Sequence, residues 1–121
     1  MSDKRIMIAD DAAFMRKLIA STLAGAGYEH FIEARNGEEA VSLFASEKPD
    51  LVLLDVTMPE MDGLEALKKI MAISPSAKVI MCSAIGQDGT IMEAIRCGAS
   101  EFIVKPFKKD QLIDLVVSLL G

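Results

Sequence analysis

Five short aliphatic or β-branched runs, at 5–10, 30–34, 51–55, 78–83 and 101–104, are each followed by a stretch of helical spacing, and this alternation restricts the fold more than any other feature. Strand then helix, repeated, predicts a parallel sheet with helices on its faces. The helical stretches cover 13–24, 37–46, 64–73, 88–97 and 108–120. Each has one apolar stripe to bury, such as Met15, Ile19 and Leu23 in the first or Leu112, Leu115, Val116 and Leu119 in the last. The first, third and fourth runs are apolar nearly throughout, which marks central strands covered on both faces. Turn residues agree: Gly25 and Gly27 close the first helix, Asn36-Gly37 opens the second, and Pro75 and Gly98 follow the third and fourth. With right-handed crossovers, five β-α units in 121 residues make a three-layer open α/β sandwich.

A chain of this length with 51% apolar residues supplies one core, and hence one domain. Its richest apolar stretch, 112–120, is cut by Asp114 and falls well short of the roughly 18 residues that a membrane span needs. Residues 1–5 lead straight into the first strand without the apolar segment of a secretory signal, so a soluble cytoplasmic protein is expected. A net charge of −5 argues against sequence-independent nucleic-acid binding, which works by displacing counterions with a basic face. Cys82 and Cys97 form no C-x-x-C pair and read as reduced structural thiols. The eight methionines read mainly as core fillers, with Met92 a candidate for a partner surface. Gly25-Ala26-Gly27 follows a helix where a dinucleotide fingerprint must follow a strand, and no phosphate-binding G-x-x-x-x-G-K-[ST] occurs.

In an open α/β sheet, ligands bind beyond the carboxyl ends of the strands, and here those ends are polar. They carry Asp10-Asp11, Asp55, Ser83 and Lys105-Pro106. Three carboxylates in one crevice repel, and a hard divalent cation relieves the repulsion. Mg²⁺ suits the set because it takes one or two carboxylates together with waters and phosphate oxygens. Zinc lacks its usual ligands, since the only histidine, His30, falls at the start of a strand on the far edge of the sheet. A carboxylate beside such a cation can attack a phosphoryl group whose charge is met by Lys105, the Ser83 hydroxyl and backbone N–H groups such as those of Thr57 and Ala84. Each residue also has a plainer use: Asp11 as a helix N-cap, Asp55 as a cap or strand end, Ser83 bonded to local backbone, Lys105 as a solvated charge. Their joint arrival at the strand ends favours one shared site.

These residues resemble the receiver domain of two-component response regulators over the whole chain. The marks are Asp10-Asp11, the segment from Asp55 through Thr57, Met58, Pro59, Glu60, Met61 and Asp62 to Gly63, then Ser83-Ala84 and Lys105-Pro106-Phe107. The stretches around Asp10, Cys82 and Phe102 are most similar to single-domain chemotaxis regulators, and residues 1–121 are expected to be one receiver domain without an output domain. The resemblance implies a flavodoxin-like sheet of order 2-1-3-4-5. It implies that Asp55 accepts a phosphoryl group from a phosphohistidine of a chemotaxis-type kinase. Asp11, Asp55 and the Thr57 carbonyl are then direct Mg²⁺ ligands, with Asp10 acting through water. Lys105 contacts the phosphoryl oxygens and its bond to Pro106 is cis. Ser83 and Phe102 form a switch pair that repacks the face of the fourth helix, fifth strand and fifth helix. The implied partners are a flagellar motor switch protein or another phospho-dependent target and a phosphatase, with the chain itself a monomer.

Two positions depart from the common pattern, with Ser83 where many members have threonine and Phe102 where many have tyrosine. The ring therefore has no hydroxyl to offer a partner. Three other readings compete: a phosphate shuttle in a different two-component pathway, an aspartate-nucleophile phosphohydrolase, and an interaction module keeping only the fold. Thr57 stands where the phosphohydrolases place their second aspartate, which disfavours catalysis on external substrates.

Overall fold

The structure is a computed structural model that describes residues 2–121; Met1, the first residue of the N-terminal reading above, lies outside them. The elements alternate without exception: β1(Ser2–Ala9), α1(Ala13–Ala24), β2(Tyr28–Ala34), α2(Gly37–Glu47), β3(Leu51–Asp55), α3(Gly63–Ile73), β4(Val79–Ala84), α4(Asp88–Arg96), β5(Glu101–Lys105) and α5(Lys109–Leu120). All four ladders are parallel and the strand order is β2-β1-β3-β4-β5. The three runs apolar nearly throughout are indeed the inner strands, and every residue of β3 is buried. Boundaries differ from the sequence expectation by up to three residues, most at β1 and β2, whose first pair is Ser2 with Tyr28.

Strand alternation divides the core between the two faces of the sheet. Met7, Val52, Leu54, Val79 and Met81 pack with Phe44 of α2, Leu67 and Ile70 of α3 and Ile91 of α4. Ile6, Ile8, Leu51, Leu53, Ile80 and Ile103 pack with Ile19 and Leu23 of α1 and Leu112 and Val116 of α5. Each fully buried aliphatic side chain contributes about 1.5–3 kcal/mol, so these layers carry most of the stability. Local chemistry sets the helix starts. Asn36 Oδ1 accepts from the Glu39 N–H at 2.7 Å and Asp62 Oδ1 from the Glu65 N–H at 2.9 Å, capping α2 and α3. Among the described residues, no helix is long and apolar enough to cross a membrane.

The two cysteines differ in access. Cys82 is buried on β4, and burial pushes its thiol up to about 12, whereas Cys97 at the end of α4 is half-buried. Alkylation with iodoacetamide at about pH 8 should therefore modify Cys97 first and leave Cys82 until denaturant is added, since the thiolate is the reacting form. Intact-mass spectrometry reads this directly, and equal rates at both positions would show that β4 opens readily.

Candidate functional site

Parallel strands in this register bring the four polar ends to one edge. Asp55 stands opposite Cys82, Ser83 opposite Val104 and Ala84 opposite Lys105. Asp10 and Asp11 occupy the turn after β1, and one carboxylate oxygen from each of Asp10, Asp11 and Asp55 lies within 4.8 Å of the others. Lys105 bridges two of the acids, with Nζ 2.9 Å from Asp10 Oδ2 and 3.3 Å from Asp55 Oδ2. Asp10, Asp55 and Ser83 are buried, while Asp11 is exposed on the solvent side.

Each acid is held by the backbone around it. Asp10 Oδ1 accepts from the Ala12 N–H at 2.9 Å, and the Asp10 N–H donates to the Ala34 carbonyl at 3.0 Å. The position before α1 is Ala12, which makes no side-chain cap, so Asp11 is not the N-cap and is left for the crevice. Asp55 closes β3, where the following Val56 N–H donates to the Cys82 carbonyl at 2.9 Å. The chain then returns so tightly that the Gly63 N–H donates to the Val56 carbonyl at 2.8 Å. A Cβ on Gly63 would lie 2.0 Å from the Asp55 carbonyl oxygen, and one on Gly37 2.1 Å from the Met61 oxygen. Only glycine lets α3 and α2 start this close to the loop after β3.

Burial raises the pKa of Asp55 above the ordinary carboxylate value; the Lys105 charge opposes this, the Asp10 charge adds to it, and the Thr57 backbone N–H bonded to the carboxylate again opposes it. Burial works against the Lys105 charge, but its bond to Asp10 and the fields of Asp55 and Asp10 outweigh that, and its pKa is raised. Lys105 is thus a fixed cation between two acids and not a solvated surface charge. The donors are all hard oxygens, clustered and partly neutralised, with no sulfur or imidazole, and this fits Mg²⁺. His30 lies exposed on the edge strand β2.

The remaining expected positions lie at the end of β4 and along β5. The Lys105–Pro106 bond is cis. Phe102 is 41% exposed on β5, so its ring is outward in this structure. The Ala84 N–H, expected to face a phosphoryl oxygen, here donates to Gln87 Oε1 at 2.6 Å. Two residues escaped the sequence reading. Arg16 is buried, with Nη1 donating to the Asp10 carbonyl at 2.7 Å and Nε to Glu33 Oε1 at 2.9 Å, so it fixes the turn that presents the acids. Gln87 joins two loops, since its Nε2 also donates to Thr57 Oγ1 at 3.1 Å. Its only cue was a polar amide just after the Gly86 turn.

Comparison with known proteins agrees with this geometry. Residues 6–117 match the model of the response regulator receiver domain. The chemotaxis protein CheY of Listeria monocytogenes is 54% identical over 110 residues, 91% of this chain and 92% of that protein. CheY of Thermotoga maritima is 51% identical over 111 residues, 92% of each. Among solved structures, a chain of the CheX–CheY–BeF₃–Mg²⁺ complex from Borrelia burgdorferi superposes with a TM-score of 0.92 at 34% identity, over 98% of this chain and 90% of that one. The fold, the convergent strand ends and these relatives together establish that the chain belongs to the response regulator receiver family, in its CheY-like form.

Proposed function

We propose that this protein is a cytoplasmic chemotaxis switch, a single receiver domain over residues 1–121 that takes a phosphoryl group on Asp55 and releases it again without turning over external substrates. The observation that carries this is the convergence of Asp10, Asp11 and Asp55 within 4.8 Å, with Lys105 set between two of them. An Asp55 carboxylate oxygen attacks the phosphorus of a kinase phosphohistidine, a P–O bond forms, and the P–N bond breaks with its electron pair leaving on the imidazole. Water later attacks the same phosphorus, freeing phosphate and restoring the carboxylate. Asp11, Asp55 and the Thr57 carbonyl would hold Mg²⁺ directly and Asp10 through water; both Asp10 oxygens already have protein partners, which supports the indirect role. When bound, the ion supplies positive charge to the phosphoryl oxygens. Lys105 and the Ser83 hydroxyl meet the remaining charge, with backbone donors at Thr57 and Ala84.

The switch would run through Ser83 and Phe102. A hydroxyl drawn toward the phosphoryl oxygens vacates space beneath the exposed ring, which turns inward and repacks the α4-β5-α5 face. Phe102 borders a shallow groove with Val104, Gln111, Asp114 and Leu115, and Met92 and Ile95 are exposed on α4, a surface suited to a phospho-dependent partner. A flagellar motor switch protein is the proposed target and a phosphatase is proposed to act on the loaded form; likeness to the CheX–CheY complex supports a protein partner. The chain is proposed to work as a monomer.

Incubation with phosphoramidate and Mg²⁺ tests the reading: one phosphoryl group should appear by intact mass, and none without the ion. Turnover of an external phosphate ester would overturn it. Lys105→Met separates the two charges of the site. Removing the cation should strengthen Mg²⁺ binding by about tenfold or more, because an opposing charge is gone. Phosphoryl uptake should fall by about 10²–10³-fold, because the developing charge loses its fixed partner. Mg²⁺ titration and uptake rates on the same sample check both signs.

A further inference from the structure

Between β4 and α4 the chain turns back on itself at Gly86, whose φ of +94° is open to glycine and strained for other residues. The turn brings Gln87 over the end of β4, where its carboxamide uses both polar atoms. Oε1 accepts from the Ala84 N–H at 2.6 Å, and Nε2 donates to Thr57 Oγ1 at 3.1 Å. Gln87 stands at the N-cap position of α4 yet makes no side-chain bond to that helix. Its side-chain hydrogen bonds therefore go to the last residue of β4 and to Thr57, two residues past Asp55 in the loop after β3.

We propose that Gln87 is a positioning residue that latches the phosphoryl site in its empty state, holding the Ala84 N–H and the Thr57 hydroxyl until an incoming phosphoryl oxygen displaces it. This rests on the reading of Asp55 as acceptor. A backbone N–H cannot give a full bond to the amide and to a phosphoryl oxygen at once. The bond to a charged oxygen is roughly twice as strong as the neutral one it replaces, so release is favourable. The lost neutral bond still opposes uptake, by the net worth of one such bond, about 2–10-fold in affinity. Release also frees the residue that precedes α4, so phosphoryl binding reaches the first turn of that helix.

The test titrates beryllofluoride, with saturating Mg²⁺, into the full chain and its Gln87→Ala and Gln87→Glu variants, read by amide and side-chain NMR. Gln87→Ala should bind about 2–10-fold more tightly than wild type. Gln87→Glu should bind more weakly, because its carboxylate still accepts from the Ala84 N–H and adds negative charge beside the anion. Opposite signs at one position would not follow from a merely structural role. In the wild type, the Gln87 side-chain NH₂ and the Ala84 amide should shift together on titration. Equal or weaker binding by Gln87→Ala, or an unmoved Gln87 NH₂ signal, would overturn the latch while leaving the acceptor reading intact. A wild-type chain that takes up no beryllofluoride would overturn both.

Discussion

Asp55→Asn is expected to abolish phosphoryl uptake and, in the same molecule, to raise the stability of the metal-free chain. The first effect follows from the chemistry, since an amide oxygen is a poor nucleophile and nothing else at the strand ends replaces it; uptake should drop by at least about 10³-fold. The second follows from the electrostatics. Burial, with the Asp10 charge adding to it, holds the Asp55 pKa above the ordinary carboxylate value despite Lys105 and the Thr57 N–H. The folded chain then binds this proton more tightly than the unfolded one. Stability from the group is fully present below the unfolded pKa and is lost as pH rises through the folded pKa. At neutral pH the ionised carboxylate is a net cost, which asparagine removes. The gap between variant and wild type should close as the pH is lowered into the carboxylate range, and narrow when Mg²⁺ is added to the wild type. Denaturant melts near pH 7 and pH 4, with and without Mg²⁺, read the stability, and intact mass reads the uptake. A variant labelled as well as wild type would move the acceptor elsewhere.

Much of this was readable in the residues, for definite physical reasons. Period-2 and period-3.6 apolar patterns distinguish strand from helix, and runs apolar on both faces can only be inner strands, which is why β1, β3 and β4 were placed correctly. The acids were legible because strand ends are where an open parallel sheet binds its ligands. The start of β2 was not, because Glu29 and His30 are exposed and hide the buried Tyr28 before them. Arg16 looks like any charge on a helix, and only the fold shows it buried against the Asp10 carbonyl and Glu33 on a neighbouring element. Gln87 is the same kind of case, since its bonds depend on the positive φ of Gly86 and on how closely the loops after β3 and β4 approach. Pattern gives faces and ends, whereas contacts between loops are set by backbone geometry that no periodicity encodes.

That geometry makes Gly63→Ala the substitution with the largest expected structural effect. The added Cβ would meet the Asp55 carbonyl oxygen at 2.0 Å, with the Asp55 carbonyl carbon and Val56 Cα each at 2.8 Å. All are backbone atoms, so no side chain can rotate away, and either α3 or the end of β3 must shift. The Gly63 N–H bond to the Val56 carbonyl and the Asp62 cap on α3 would be strained in the same step. A loss of at least about 3 kcal/mol is expected, at or above the usual cost of overpacking. Gly89 in α4 supplies the contrast, because a Cβ there meets nothing within 4 Å. The same glycine-to-alanine change at that helical position should stabilise by about 0.5–1 kcal/mol. Chemical denaturation of the two variants should therefore give opposite signs. Where Gly63→Ala still folds at low temperature, displacement of the acceptor loop should slow Mg²⁺-dependent uptake on Asp55, which Gly89→Ala should leave at wild-type rate. Wild-type stability and uptake in Gly63→Ala would mean that the seat of α3 on the Asp55 carbonyl is not what fixes the acceptor in place.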